Sequence, residues 1–74
     1  MRNKIRLDTV KDCNEFVQIV QGLPGKITIV DESNGYRVNG KSILGAIASM
    51  EFDDLYVESE NDIYMHIEKF IVID

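Results

Sequence analysis

The 74-residue chain carries 13 acids against eight bases, a net charge of −5 at pH 7, and a composition that is 45% apolar and 28% charged. That length supports one small core, so residues 1–74 are expected to form one domain, with neither the low hydrophobicity of disorder nor the long apolar run of a membrane span. The acidic balance disfavours nucleic-acid and anionic-lipid partners, and a single Cys rules out an internal disulfide or a multi-Cys zinc site and suits a cytoplasmic setting.

In chain order, Lys4-Ile5-Arg6-Leu7 alternates polar and apolar residues, the period of a half-buried strand. Thr9 then stands where a helix cap belongs, with Asp12 three residues on as its capping-box partner. Val10, Cys13, Phe16, Val17, Val20 and Leu23 follow at helical spacing and predict one apolar stripe. Gly22 and Pro24-Gly25 end that helix, because Pro lacks an N–H and Gly tolerates positive φ. Ile27 and Ile29 fall on one face of a second strand. Asn34-Gly35 predicts a type I′ hairpin, with Tyr36 and Val38 on the returning strand. Ser42 opens a short helix from Ile43 to Ala48, Asp53-Asp54 makes a turn, and Leu55 and Val57 mark a fourth strand. Asn61 is the expected cap of a last helix whose stripe is Ile63, Ile67, Phe70 and Ile71.

The order β-α-β-β-α-β-α predicts an α+β fold: a two-layer, open-faced sandwich in which a four-stranded antiparallel sheet carries three helices on one face. Chemistry-bearing motifs are sparse. Neither GxxxxGK[ST] nor GxGxxG occurs, so the glycines give no nucleotide cradle. The one His, His66, has no second His or Cys near it and is expected on the solvated flank of the last helix; Cys13 is expected as a packed thiol. Asp53-Asp54 and the Glu58, Glu60, Asp62 run lack the ordered ligands and central Gly of a calcium loop. No nucleophile stands beside a base, and no cofactor, metal or enzymatic activity is expected.

Two segments resemble HPr, the histidine-containing phosphocarrier of the bacterial sugar phosphotransferase system. Lys41-Ser42-Ile43-Leu44-Gly45-Ala46-Ile47-Ala48-Ser49-Met50 is similar to that family's Lys-Ser-Ile-x-Gly regulatory segment, and the spacing of Cys13, Phe16, Val17, Val20 and Leu23 followed by Ile27 and Ile29 is similar to its first helix and second strand. The resemblance covers nearly the whole chain and implies a sheet order of 1-4-2-3. One departure is decisive for chemistry. The family carries its phosphoryl group on a His in a Gly-x-His-Ala-Arg-Pro-Ala segment, which here is Leu7-Asp8-Thr9-Val10-Lys11-Asp12-Cys13. Thr9 takes the His position and Lys11 the Arg position, and Asp12 replaces Pro.

By resemblance, then, the chain is a divergent relative whose catalytic site is absent. An alkyl phosphate ester on Thr9 would lack the transfer potential of a phosphoimidazole. The resemblance implies Ser42 as a site of regulatory phosphorylation, besides its capping role worth ~1 kcal/mol. It also implies Ile43, Leu44 and Ile47 as the surface that partner proteins grip, against the alternative that Ile43 and Ile47 form the core face and only Leu44 stands outside. Partners so implied are phosphotransferase enzymes, a kinase or a transcription regulator. A surviving phosphocarrier, a Ser42-phosphorylated regulator of carbohydrate uptake, and a structural domain of convergent pattern are the alternatives.

Overall fold

The structure is a computed structural model and describes residues 1–73. Four strands, β1 (Arg2–Lys4), β2 (Ile27–Asp31), β3 (Arg37–Asn39) and β4 (Leu55–Ser59), form one antiparallel sheet in the order β1-β4-β2-β3. Three helices, α1 (Val10–Gln21), α2 (Ile43–Ala48) and α3 (Tyr64–Ile67), complete the β-α-β-β-α-β-α order. Single-turn 3-10 segments follow α2 at Ser49–Glu51 and α3 at Glu68–Phe70.

Register fixes which side chains meet the helices. Asn3, Val57, Ile29 and Val38 share one row across the sheet, and Ile27 lies two residues along the same face. Ile27, Ile29 and Val57 are buried there against Cys13, Phe16, Val17 and Val20 of α1, Ala46 of α2, Ile67 of α3 and Phe70. The opposite face carries Arg2, Glu58, Thr28 and Asn39 in one row and Lys4, Tyr56, Val30 and Arg37 in the next. The helices lie on one face, as the patterning predicts.

Four local expectations are corrected. The first strand lies earlier than Lys4–Leu7. Ile5 and Leu7 are buried as the alternation requires, but beyond Lys4 the backbone turns to the C-terminal segment: the Arg6 N–H donates to the Phe70 carbonyl (2.9 Å) and the Val72 N–H to that of Lys4 (3.0 Å). Val10, the first residue of α1, is 50% exposed and leaves the stripe, because a helical side chain tilts toward the N-terminus and here no preceding turn lies beneath it. The last helix is one turn long, and Asn61 does not cap it. Asn61 donates its amide to the Pro24 carbonyl (3.2 Å), and Asp62 Oδ1 takes the Tyr64 N–H instead (3.0 Å). The 3-10 turn that follows eclipses residues three apart, which sets Phe70 beneath Ile67 and brings it edge-on to Phe16, ring centroids 5.6 Å apart.

The β2–β3 connection is not a type I′ turn, which needs positive φ at both central residues. Gly35 has φ 77°, and no residue but glycine is positive among those described. The cause is Asp31, 1% exposed, whose carboxylate accepts from the Ser33 N–H (3.2 Å), the Asn34 amide (2.8 Å) and the Asp53 N–H (3.2 Å). These bonds wrap the chain before it can reverse, so β3 starts at Arg37 and Tyr36 is left exposed, stacked on Phe52.

The Asn34 amide foremost, opposed by desolvation and aided by backbone N–H groups, holds the Asp31 carboxyl below its ordinary range. Arg37 does the same for Glu58. A carboxyl depressed on folding adds stability above its unfolded value, and the contribution is lost as pH falls through the native one. The urea midpoint should therefore fall below about pH 4. Asp31→Asn should lower the midpoint at pH 7 yet flatten that acid decline; an unchanged acid slope would remove Asp31 from the account.

Candidate functional site

The start of α1 is where a phosphoryl acceptor is expected from the resemblance. Thr9 is the N-cap in extended backbone (φ −134°, ψ 163°), and its Oγ1 accepts the Asp12 N–H at 3.0 Å. Asp12 Oδ2 in turn accepts the Asp8 N–H at 3.0 Å. The capping box therefore closes one residue earlier than the usual form, on the residue before the cap. Two carboxylates occupy the positive end of the helix dipole, which lowers its attraction for any further anion. Arg6 sits 3.8 Å from Asp8, and Lys11 is exposed with no carboxylate partner among the described residues. His66 is exposed on α3, in the last helix of the chain.

Ser42 caps α2, its Oγ accepting the Gly45 N–H at 3.2 Å. Lys41 ties this cap to α1: its ammonium donates to the Leu23 carbonyl (2.6 Å), and its own carbonyl accepts from the Gln21 amide (3.1 Å). One turn on, the Cys13 thiol donates to the Ala46 carbonyl at 3.4 Å. Burial, followed by the neighbouring Asp12, raises that thiol above its ordinary value, which suits the packed role expected of it.

The two sets of contacts make α2 antiparallel to α1. Ser42 lies at the C-terminal end of α1, and the chain continues toward its start, where Asp8 shares a groove of about 380 Å³ with Ser49, Met50 and Phe52. Since α1 is about 18 Å long, Thr9 and Ser42 stand at opposite ends of the helix pair. Met50, rather than Ser42, shares that groove with Asp8, the residue before the Thr9 cap.

Of the segment's apolar residues, Leu44 is 76% exposed, while Ile43 and Ile47 are half-buried at the edge of the core. The core residue of α2 is Ala46. Ile43 and Ile47 flank it, so the i, i+4 pair neither enters the core fully nor leaves it. Ile43, Leu44 and Ile47 thus form a continuous edge of partly to fully accessible aliphatic surface.

A second surface, which no motif marks, lies where β2 and β3 meet the turn into α2. Lys26, Thr28, Arg37, Asn39 and Lys41 line a cleft of about 490 Å³ with Ile27 and Val38. Its residues come from two separate stretches, 26–28 and 37–41, which only the pairing of β2 with β3 brings together. No helix of the described residues is long and apolar enough to cross a membrane.

No protein-family model matches the sequence, and no curated protein matches it either. Among solved structures, the fold is similar to HPr-C-His from Thermoanaerobacter tengcongensis, with a TM-score of 0.64 and 22% identity over 92% of this chain and 81% of that one. At that identity the likeness is one of fold: an HPr-like α+β sandwich.

Proposed function

We propose that this chain is a divergent HPr-like protein that acts by docking other proteins through the Ser42 segment and does not relay phosphoryl groups. The observation that carries the reading is the use of Thr9: the side chain in the acceptor position is an N-cap bonded to the Asp12 N–H at 3.0 Å. A capping hydroxyl flanked by Asp8 and Asp12 is a poor nucleophile toward phosphate, and its ester would not pass a phosphoryl group onward. Support for docking comes from Leu44, exposed beside half-buried Ile43 and Ile47 on a helix whose other side is fixed to α1. Exposed aliphatic surface of this kind favours protein contact. The partners would be phosphotransferase enzymes, a kinase or a transcription regulator, and the whole of 1–74 would act as one cytoplasmic domain.

A second reading has one observation of its own. Ser42 Oγ serves its cap as an acceptor from Gly45, which leaves its proton free, and the residue is half-accessible. Phosphorylation there would add roughly −2 charge beside Leu44 and convert the docking edge into a regulated one.

Mass spectrometry separates the two. Incubated with phosphoenolpyruvate and the first enzyme of the sugar phosphotransferase system, the protein should gain no acid-labile phosphate; a stable phosphoimidazole on it, or label passed to a sugar-specific acceptor, overturns the main reading. Treated with an HPr-directed Ser kinase and ATP, a regulated protein gains one acid-stable phosphate that Ser42→Ala abolishes. A mass gain lost only on Thr9→Ala would instead count against Ser42.

A further inference from the structure

We propose that the cleft between β2, β3 and the turn into α2 is a binding site for a small organic phosphate. The chain carries a net charge of −5, yet the residues around this cleft include three cations, Lys26, Arg37 and Lys41, and no acid. Thr28 and Asn39 add neutral hydrogen-bonding groups.

The cations differ in how far they are already committed. Lys26 has no carboxylate partner for its ammonium among the described residues; Glu60 takes its backbone N–H instead. Lys41 spends one donor on the Leu23 carbonyl, leaving two of its three. Arg37 bonds Glu58 through one terminal nitrogen, and a guanidinium offers five N–H donors in all. Glu58 offsets the charge of Arg37, so Lys26 and Lys41, which have no carboxylate partner among the described residues, carry the local positive field within a negative molecule. That arrangement attracts an anion of two charges or more, and a phosphate monoester supplies the charge together with several acceptor oxygens.

Size and surroundings indicate that the anion carries a body. At about 490 Å³ the cleft is in the range of small-molecule sites and far exceeds a bare phosphate. Lys26, Thr28 and Arg37 also border an adjoining cleft of about 410 Å³, whose other lining residues are Met1, Arg2, Glu58, Ser59 and Glu60. A phosphate held by Lys26 and Lys41 would place its ester group toward Glu58, Ser59 and Glu60, whose oxygens accept from hydroxyl groups. A hydroxylated phosphate monoester fits both ends.

The test is a titration of the full chain with glycerol 3-phosphate, followed by amide NMR shifts at constant ionic strength. Saturable shifts at Lys26, Thr28, Arg37, Asn39 and Lys41, absent with glycerol or added chloride, are expected. Lys26→Gln should weaken the affinity several-fold and Lys26→Glu should abolish saturation, with the remaining spectrum unchanged because Lys26 is exposed. Shifts that only follow ionic strength, that centre on Thr9 or Ser42, or that survive Lys26→Glu would overturn the site. Saturable binding of hexaglutamate with none of glycerol 3-phosphate would overturn it in favour of an acidic peptide. None of these outcomes depends on whether Ser42 or Thr9 can be phosphorylated.

Discussion

Phe16→Ala is expected to leave much of the protein unfolded at 25 °C. Phe16 is fully buried at the centre of the core and meets Phe70 edge-on at 80°. Truncating a buried Phe costs about 3–5 kcal/mol in lost transfer energy and cavity formation. A chain of this size has a total stability of only about 4–11 kcal/mol. The one substitution thus removes from about a quarter to all of the margin. Urea unfolding followed by far-UV circular dichroism should show a midpoint near zero or a sharply lowered one. Phe70→Leu, which keeps most of the apolar bulk but loses the ring pair, should cost less. A Phe16→Ala loss below 1 kcal/mol would mean that the core is not organised around this ring.

Gly45→Ala is expected to destabilise, against the usual rule for helices. Alanine at an ordinary helical glycine gains roughly 1 kcal/mol. At Gly45 an added Cβ would stand 2.6 Å from the Asn39 carbonyl oxygen, a backbone atom that cannot rotate aside. Forcing atoms into packed space costs about 1–3 kcal/mol, and a backbone obstacle puts the cost at the upper end, for a net loss of roughly 1–2 kcal/mol. The control is Gly22→Ala, where φ is −83° and the nearest heavy atom, the Ile19 carbonyl oxygen, lies 3.9 Å away. That variant should be neutral or slightly stabilising. Equal effects of the two substitutions, by thermal melting, would refute the close approach. The glycine of the Lys-Ser-Ile-Leu-Gly run has thereby a packing reason of its own: it lets α2 lie against the end of β3.

How much of this was legible in the sequence depends on how local each determinant is. The α1 stripe from Cys13 to Val20, the Thr9 and Ser42 caps, the extent of α2 and the alternation at Ile27, Ile29 and Val57 are set within a turn or two of chain, and each is found where patterning places it. The expectations that failed were decided by distant groups. Asp31 reaches across to the Asp53 N–H and reshapes the Asn34-Gly35 turn, a bond over 22 residues. Asn61 is drawn from the α3 cap by the Pro24 carbonyl, 37 residues away. The first strand gives way at Ile5 because its continuation pairs with Ile71. On the site, both readings of the segment leave Leu44 outside, and packing against α1 sets Ile43 and Ile47 half-buried, between surface and core. The cleft of Lys26, Arg37 and Lys41 had no sequence signal beyond the cations themselves.

The place of β4 has a consequence for how the chain is made. It is the last strand to be synthesised, yet it pairs with β1 on one side and β2 on the other. Until residue 59 has left the ribosome, β1 has no neighbour at all and β2 holds only the three-residue β3. The segments before β4 must therefore wait, their apolar faces uncovered, for the strand that joins them. Closure then joins partners far apart along the chain, so folding should be slower than in helical bundles of equal length and should begin only after residue 59 has emerged.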